Sequence, residues 1–170
     1  MEVLEPTDAV IASPPMVKLE AGAQQQFRVM RVKPSDKQTE EAYRLIVDEL
    51  PAPDAKPRKG IQLVMRYSLP LFVNVQNNAE PKLQWRAEKA ANGKAVLVAE
   101  NTGNAHAQLS NITFQTKDAL MLASGLAGYV LPGNTWKREL EVSPASLNPG
   151  RLNATVNGMP IQTEVRFAAP

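Results

Sequence analysis

The stretch that decides the fold is residues 60–73, GIQLVMRYSLPLFV. In an extended chain successive side chains point to opposite sides. One side then carries an apolar row and the other a mixed row. The apolar row is Ile61, Leu63, Met65, Tyr67, Leu69 and Leu71, and the mixed row is Gln62, Val64, Arg66, Ser68, Pro70 and Phe72. A soluble protein must cover so long an apolar row, either within its own domain or against another molecule.

The composition is that of a globular protein and excludes several classes of function. The 170 residues allow one large domain or two small ones, and the formal charge is only +2. Lysine and arginine are spread out, without the basic stripe that nucleic-acid binding needs. The chain has no cysteine, which excludes disulfides and thiol chemistry. No apolar run reaches the roughly 18 residues of a membrane-spanning helix, and MEVLEPTDAV at the start does not resemble a signal peptide.

Short alternating segments separated by turn signals predict an all-β fold. Alternation with period two is clearest in RLNATV (151–156), IQTEVRF (161–167) and TWKRELEV (135–142). The segment EEAYRLIVDEL (40–50) fits a helix about as well as a strand. We favour the strand there because its neighbours are β-rich.

The pattern of turns and strands divides the chain into two parts. Residues 1–73 hold about four strand-like segments, with a proline-rich loop, PAPDAKPRKG, at 51–60. The polar stretch 74–82 is predicted to be a hinge between domains. Residues 83–170 hold about seven strand-like segments, the number in an immunoglobulin-type sandwich.

The sequence offers little for catalysis. His106 is the only histidine, so zinc sites and histidine-based triads lack ligands or partners. Adjacent strand residues point to opposite faces, so the pairs Glu40-Glu41 and Asp48-Glu49 are expected to be solvated charges near strand ends. We therefore predict no enzymatic activity, no metal and no cofactor.

Five stretches together resemble the PapD-like periplasmic chaperones of the chaperone–usher pathway. Their sequences are more similar to the branch that serves archaic or spore-coat-protein-like pili. They are ASPPMVKLEAGAQQQFRV, EEAYRLIVDELP, IQLVMRYSLPLFV, VLVAENTGNAHAQLSNITF and YVLPGNTWKREL. The resemblance implies two immunoglobulin-like sandwiches and a periplasmic location. It implies as partners a pilus subunit and an outer-membrane usher. It also places a cis peptide bond at Ser13-Pro14-Pro15.

The resemblance implies a use for the apolar row at 60–73. Such chaperones lend a strand to a pilus subunit that lacks one, which is donor-strand complementation by β-strand addition. By resemblance the donor side chains are Ile61, Leu63, Met65 and Tyr67. Burial of three such side chains is worth roughly 5–8 kcal/mol before ordering costs. Pro70 lacks an N–H and is predicted to block the ladder beyond it on one side of the strand, which would limit the pairing region to the residues before it.

The sequence departs from the family at the residues that hold the subunit's C-terminal carboxylate. The best-known members use an arginine in the first strand and a lysine near the end of the donor strand. Ser68 stands at or next to the lysine position and supplies no charge. Arg44 and Arg66 are candidates to replace the lysine, because a guanidinium matches a carboxylate with two parallel hydrogen bonds. The alternative is that both are ordinary exposed arginines.

A second departure is that the first domain resembles an N-terminally shortened one with four strands. We expect one face of its sheet to be poorly covered, at Phe27, Val29, Leu45, Val47 and Leu63. Residues 1–73 are therefore predicted to be disordered, to self-associate or to be completed by another molecule. The competing functions are an extracellular immunoglobulin-like adhesion or binding module, and a truncated copy without activity.

Overall fold

The computed structural model describes residues 4–51, 63–73, 77–115, 120–142 and 150–167, and all the regular structure in them is β. The strands are β1 (Val10–Ser13), β2 (Arg28–Arg31), β3 (Glu41–Asp48), β4 (Arg66–Val73), β5 (Leu83–Lys89), β6 (Ala95–Asn101), β7 (Ala107–Gln115), β8 (Leu120–Val130), β9 (Thr135–Leu140), β10 (Gly150–Val156) and β11 (Met159–Phe167). The predicted all-β class is confirmed, and the segment 40–50 forms a strand rather than a helix. Within the described ranges no helix could cross a membrane.

The chain divides into two compact units. The first comprises Met1–Lys37 and Glu41–Val73, and the second comprises Gln38–Glu40 and Asn74–Pro170. The first unit carries β1–β4 and the second β5–β11, the four and seven strands that the sequence indicates. Three residues of the β2–β3 connection thus belong to the second unit, which the sequence did not predict. The predicted loop at 51–60 lies outside the described residues apart from Pro51.

The second unit holds the hydrophobic core. Its strands run in the order β8-β7-β10-β11-β5-β6-β9, and β11 pairs with β5 in parallel while the other pairs are antiparallel. Alternation works as predicted in β10, where Leu152, Ala154 and Val156 are buried against β7 residues such as Phe114. Among the described residues, every buried apolar side chain lies in this unit.

A loop at residues 101–104 of the second unit, the NTGN loop, binds the stretch predicted to be a hinge. Asn101 is fully buried, and its Oδ1 accepts from the backbone N–H of Lys82 at 3.1 Å and of Gly103 at 3.0 Å. Asn104 accepts from the Glu80 N–H through its Oδ1 at 2.8 Å and donates to the Glu80 carbonyl at 3.1 Å. Residues 80–82, the last three of the stretch predicted to be a hinge, are therefore hydrogen-bonded within the second unit.

The first unit consists of two small sheets. β1 pairs with β2 and β3 pairs with β4, both antiparallel. The Ser13–Pro14 peptide bond is cis, as the family resemblance implied. Phe27, Val47 and Leu63 are exposed, at 41%, 38% and 84% of their surface. Val29 and Leu45 are half-buried, so this unit contains no closed apolar core within the residues that the structure describes.

Candidate functional site

The β3–β4 hairpin carries the residues that the sequence singled out, and its register fixes what each can do. Opposite pairs run from Glu41 and Val73 to Asp48 and Arg66. The Glu49 N–H donates to the Met65 carbonyl at 2.8 Å, which continues the ladder one pair further. In antiparallel sheets hydrogen-bonded and non-hydrogen-bonded pairs alternate. Counting from Glu49 and Met65, the backbone N–H and C=O groups of odd-numbered residues bond across the hairpin. Those of even-numbered residues point away from the other strand, to the outer edges of the hairpin.

This register shows which side of β4 the missing N–H of Pro70 affects. Pro70 is opposite Arg44, an even-numbered pair whose backbone groups point away from the other strand. The missing N–H therefore does not interrupt the hairpin, and β4 continues through Val73. Pro70 instead removes one donor from the outer edge of β4. On that edge the N–H groups of Arg66 and Ser68 remain, and no described strand pairs with β4 there.

One face of the hairpin is the apolar row. Residues directly opposite share a face, so Tyr43, Leu45 and Val47 lie on the same face as Leu71, Leu69 and Tyr67. The row continues before the start of β4 with Met65 and Leu63, which are 54% and 84% exposed.

The structure separates the four predicted donor residues. β4 begins at Arg66, so only Tyr67 lies within a strand, and it is 48% exposed. Leu63 and Met65 lie directly before the strand, where the sequence had predicted one continuous strand from residue 60. Ile61 lies outside the described residues.

The opposite face of the hairpin carries the three residues predicted to bind the subunit's C-terminal carboxylate. Arg44, Arg66 and Ser68 all occupy even-numbered positions, and Ser68 lies diagonally across from Arg44. Arg66 binds Asp48 through two hydrogen bonds, of 2.5 Å from Nε and 2.9 Å from Nη2. The hydrogen bond and charge of Arg66 lower the pKa of the Asp48 carboxyl, and those of Asp48 raise the pKa of Arg66. The structure thus places the three candidates on one face of the hairpin, where Arg66 binds Asp48.

A buried carboxylate at the start of β3 was missed by the sequence analysis. Glu41 is 8% exposed, not a solvated charge as predicted. It binds Arg31 at 2.9 Å and accepts hydrogen bonds from Tyr43 at 3.0 Å and Ser35 at 3.1 Å. Burial raises the pKa of the Glu41 carboxyl, but the hydrogen bonds and the charges of Arg31 and Lys37 outweigh it and lower the pKa overall. Through Glu41 the β1–β2 sheet is tied to β3.

Glu40 is buried as well, on the side of the second unit. Its Oε2 accepts from the backbone N–H of His106 at 2.7 Å and lies 2.6 Å from the Nδ1 of the same residue. The Glu40 N–H donates to the Asn104 carbonyl at 2.8 Å. The only histidine of the chain therefore has a structural partner. The described residues contain no group of three or more acidic or histidine side chains that could hold a metal ion.

Two comparisons relate the chain to known proteins. Residues 2–77 match the family model of the PapD N-terminal domain, described as a pili and flagellar-assembly chaperone. The fold is similar to a chain of the crystal structure of the CsuC-CsuE chaperone–tip adhesion subunit pre-assembly complex from archaic chaperone-usher Csu pili of Acinetobacter baumannii. The TM-score is 0.65 and the identity 27%, over 96% of this chain and 76% of that chain. No curated protein matches the sequence.

Proposed function

Since the chain is PapD-like in both its N-terminal family match and its fold, we propose that it is a chaperone that caps pilus subunits by lending them a strand. The donor segment is residues 61–67. Its apolar row enters the groove of a subunit that lacks one strand of its own sandwich, and the outer edge of β4 supplies the backbone hydrogen bonds. In this role the chain works in the periplasm and passes the subunit to an outer-membrane usher.

The observation that carries the proposal is an exposed apolar row beside an open strand edge. Leu63 and Met65 present more than half of their surface to solvent, at a place where a soluble protein gains by covering them. The N–H groups of Arg66 and Ser68 point outward from the adjoining strand. Strand addition requires these two features together, because backbone bonds give affinity and alternate side chains give specificity.

The similar structure supports the choice of partner. Its title names a chaperone bound to a tip adhesion subunit in an archaic chaperone-usher pilus system. The subunit class that we propose for this chain is accordingly a pilus subunit of an archaic system.

The test is capture of such a subunit during refolding. A purified archaic-type pilus subunit is diluted from denaturant with the chain, and the soluble complex is measured by size-exclusion chromatography and titration. Leu63→Asp and Met65→Asp are each expected to weaken binding about tenfold or more, because each removes the burial of one large apolar side chain. Ile61→Asp is expected to act in the same way.

The second unit offers matched controls. Met121 and Leu126 lie on β8 and are 62% and 59% exposed, close to the exposure of Met65. Met121→Asp and Leu126→Asp also replace an exposed apolar side chain with a carboxylate, but outside the donor segment, and should leave subunit binding unchanged. If the two sets of variants bind the subunit equally well, the donor-strand proposal fails and an immunoglobulin-like adhesion module becomes the better description.

A further inference from the structure

Met65 is the only methionine of the proposed donor segment, and its backbone is held while its side chain is open to solvent. The Glu49 N–H donates to the Met65 carbonyl at 2.8 Å, and the Met65 N–H donates to the Glu49 carboxylate at 3.0 Å. The side chain is 54% exposed. A thioether at such a place is accessible to oxidants that convert methionine to the sulfoxide.

The surroundings of the sulfur favour the sulfoxide in the free chain. The Tyr67 hydroxyl donates to the Sδ of Met65 at 3.4 Å. A thioether sulfur is only a weak acceptor, whereas the sulfoxide adds a polar oxygen that this hydroxyl and solvent can both satisfy. Transfer of that oxygen from water into an apolar groove removes the solvent bonds, and a polar group buried without its full set of hydrogen bonds costs free energy.

We propose that Met65 is an oxidation site that controls capture of the subunit: the thioether binds the subunit groove and the sulfoxide does not. This inference rests on the donor-strand function proposed above. The oxidant is a two-electron oxidant of the peroxide class, and reduction of the sulfoxide restores the donor segment.

The reaction is a transfer of one oxygen atom. A lone pair of the Met65 sulfur attacks one oxygen of hydrogen peroxide, the S–O bond forms and the O–O bond breaks. The departing hydroxide takes the proton that the transferred oxygen carried, so the products are the sulfoxide and one water. The sulfur is oxidised by two electrons and the peroxide is reduced by two, without a cofactor.

Met121 on β8 is a close chemical match for Met65 in the second unit. It is 62% exposed, and its sulfur accepts from the Thr113 hydroxyl at 3.6 Å. Because the two sulfurs have similar exposure and a similar donor, peroxide should oxidise both in the native chain. Only Met65 belongs to the donor segment, so only its oxidation should affect capture.

Two variant chains separate the two methionines. Met16, Met30 and Met159 are also exposed, at 72%, 49% and 72%, and are replaced by leucine in both chains, a volume-conserving change. The first chain also carries Met121→Leu and keeps Met65, and the second carries Met65→Leu and keeps Met121. Each is treated with hydrogen peroxide until peptide mass spectrometry shows complete conversion, and is then compared with its own untreated form in the refolding capture assay.

Oxidation should weaken capture of the archaic-type pilus subunit about tenfold or more in the first chain and leave it unchanged in the second. Methionine sulfoxide reductases A and B, which act on the two sulfoxide epimers, should restore capture by the first chain. The wild-type chain gives a measurement without substitutions. Bound subunit should slow the oxidation of Met65 and leave that of Met121 unchanged.

The results distinguish a failure of this proposal from a failure of the proposed function. If the first chain captures the subunit equally well before and after complete oxidation, the function stands and the control by Met65 is overturned. The same holds if peroxide oxidises Met121 in the native chain and leaves Met65 intact. If the untreated wild-type chain captures no subunit, the proposed function fails, and control of it by Met65 fails with it.

Discussion

Glu40 and Glu41 are adjacent, both only 8% exposed, and their carboxylates bind different partners. Glu40 binds His106 in the second unit, and Glu41 binds Arg31 in the first. A single Glu-Glu dipeptide at the start of β3 therefore supplies a buried acid to each unit. The boundary between the units therefore passes between these two residues as well as between Val73 and Asn74.

Removal of the Glu40 carboxylate should destabilise the second unit. Glu40→Ala leaves the His106 backbone N–H without its acceptor, and a buried unsatisfied donor costs about 1–3 kcal/mol. Both tryptophans, Trp85 and Trp136, lie in this unit, so urea unfolding followed by their fluorescence reports on it alone. Glu141→Ala is the control, since that carboxylate is 84% exposed and its ion pair with Lys94 should contribute little. Equal midpoints for the two variants would contradict a structural role for Glu40.

The outer surface of the second unit should lose stability in acid. Arg86 donates to Glu88 and to Glu100, each at 2.8 Å, and its hydrogen bond lowers the pKa of the Glu88 carboxyl. A carboxyl whose pKa is lower in the folded state stabilises the fold above its unfolded pKa, and this contribution disappears as the pH falls through the folded value. Arg86→Gln should therefore be less stable than the wild type at pH 7 and should approach it below about pH 4. Urea midpoints measured from pH 3 to pH 7 check this; a difference that does not change with pH would refute it.

Much of the fold follows from the sequence because the alternation is strong where one face is buried. Leu152, Ala154 and Val156 alternate in RLNATV, and the structure buries all three. The segment 40–50 was ambiguous by periodicity, and its pairing with β4 decides it as a strand. The pairing partner is distant in sequence, so no local pattern could supply that information.

The buried acids were missed for a related reason. A glutamate in a β-rich sequence is solvated unless a cation or donor lies nearby in space. The partners of Glu40 and Glu41 are His106 and Arg31, far along the chain or on another strand, and only the tertiary structure brings them together. The side of β4 that Pro70 affects could not be predicted either, because the alternation of hydrogen-bonded pairs depends on the register with β3.

Gly103 should tolerate no side chain. A Cβ built there would lie 2.3 Å from the Glu80 carbonyl oxygen and 2.5 Å from the Lys82 nitrogen, so backbone atoms would have to move. Gly103→Ala is expected to cost about 2–3 kcal/mol, the upper part of the usual range for a single substitution. Gly93→Ala is the control because its Cβ would meet nothing within 4 Å and only its φ of +84° would be strained, at about 1 kcal/mol. A smaller loss of stability for Gly103→Ala than for Gly93→Ala would show that residues 80–82 shift freely away from the NTGN loop.

The polar face of the hairpin makes a specific prediction for the subunit's C-terminal carboxylate. We expect Arg44 to be the main ligand, because a guanidinium matches a carboxylate with two parallel hydrogen bonds, and Ser68 on the same face to be a secondary donor. A charge-assisted hydrogen bond contributes about 1.5–3 kcal/mol, so Arg44→Ala should weaken subunit binding by about tenfold or more. The measurement is a titration at concentrations where the chain alone is monomeric.

An amidated subunit completes the test of the anchor. If Arg44 binds the carboxylate, amidation should cost as much affinity as Arg44→Ala, and the two changes together should cost little more than either alone. Arg151→Ala, on β10 of the second unit, serves as the control. Amidation of the subunit should reduce its affinity for this variant by the same factor as for the wild-type chain. If the affinity losses from Arg44→Ala and from amidation add, while those from Arg66→Ala and amidation do not, Arg66 rather than Arg44 binds the carboxylate. Additivity with both arginines would mean that this face of the hairpin does not hold the carboxylate.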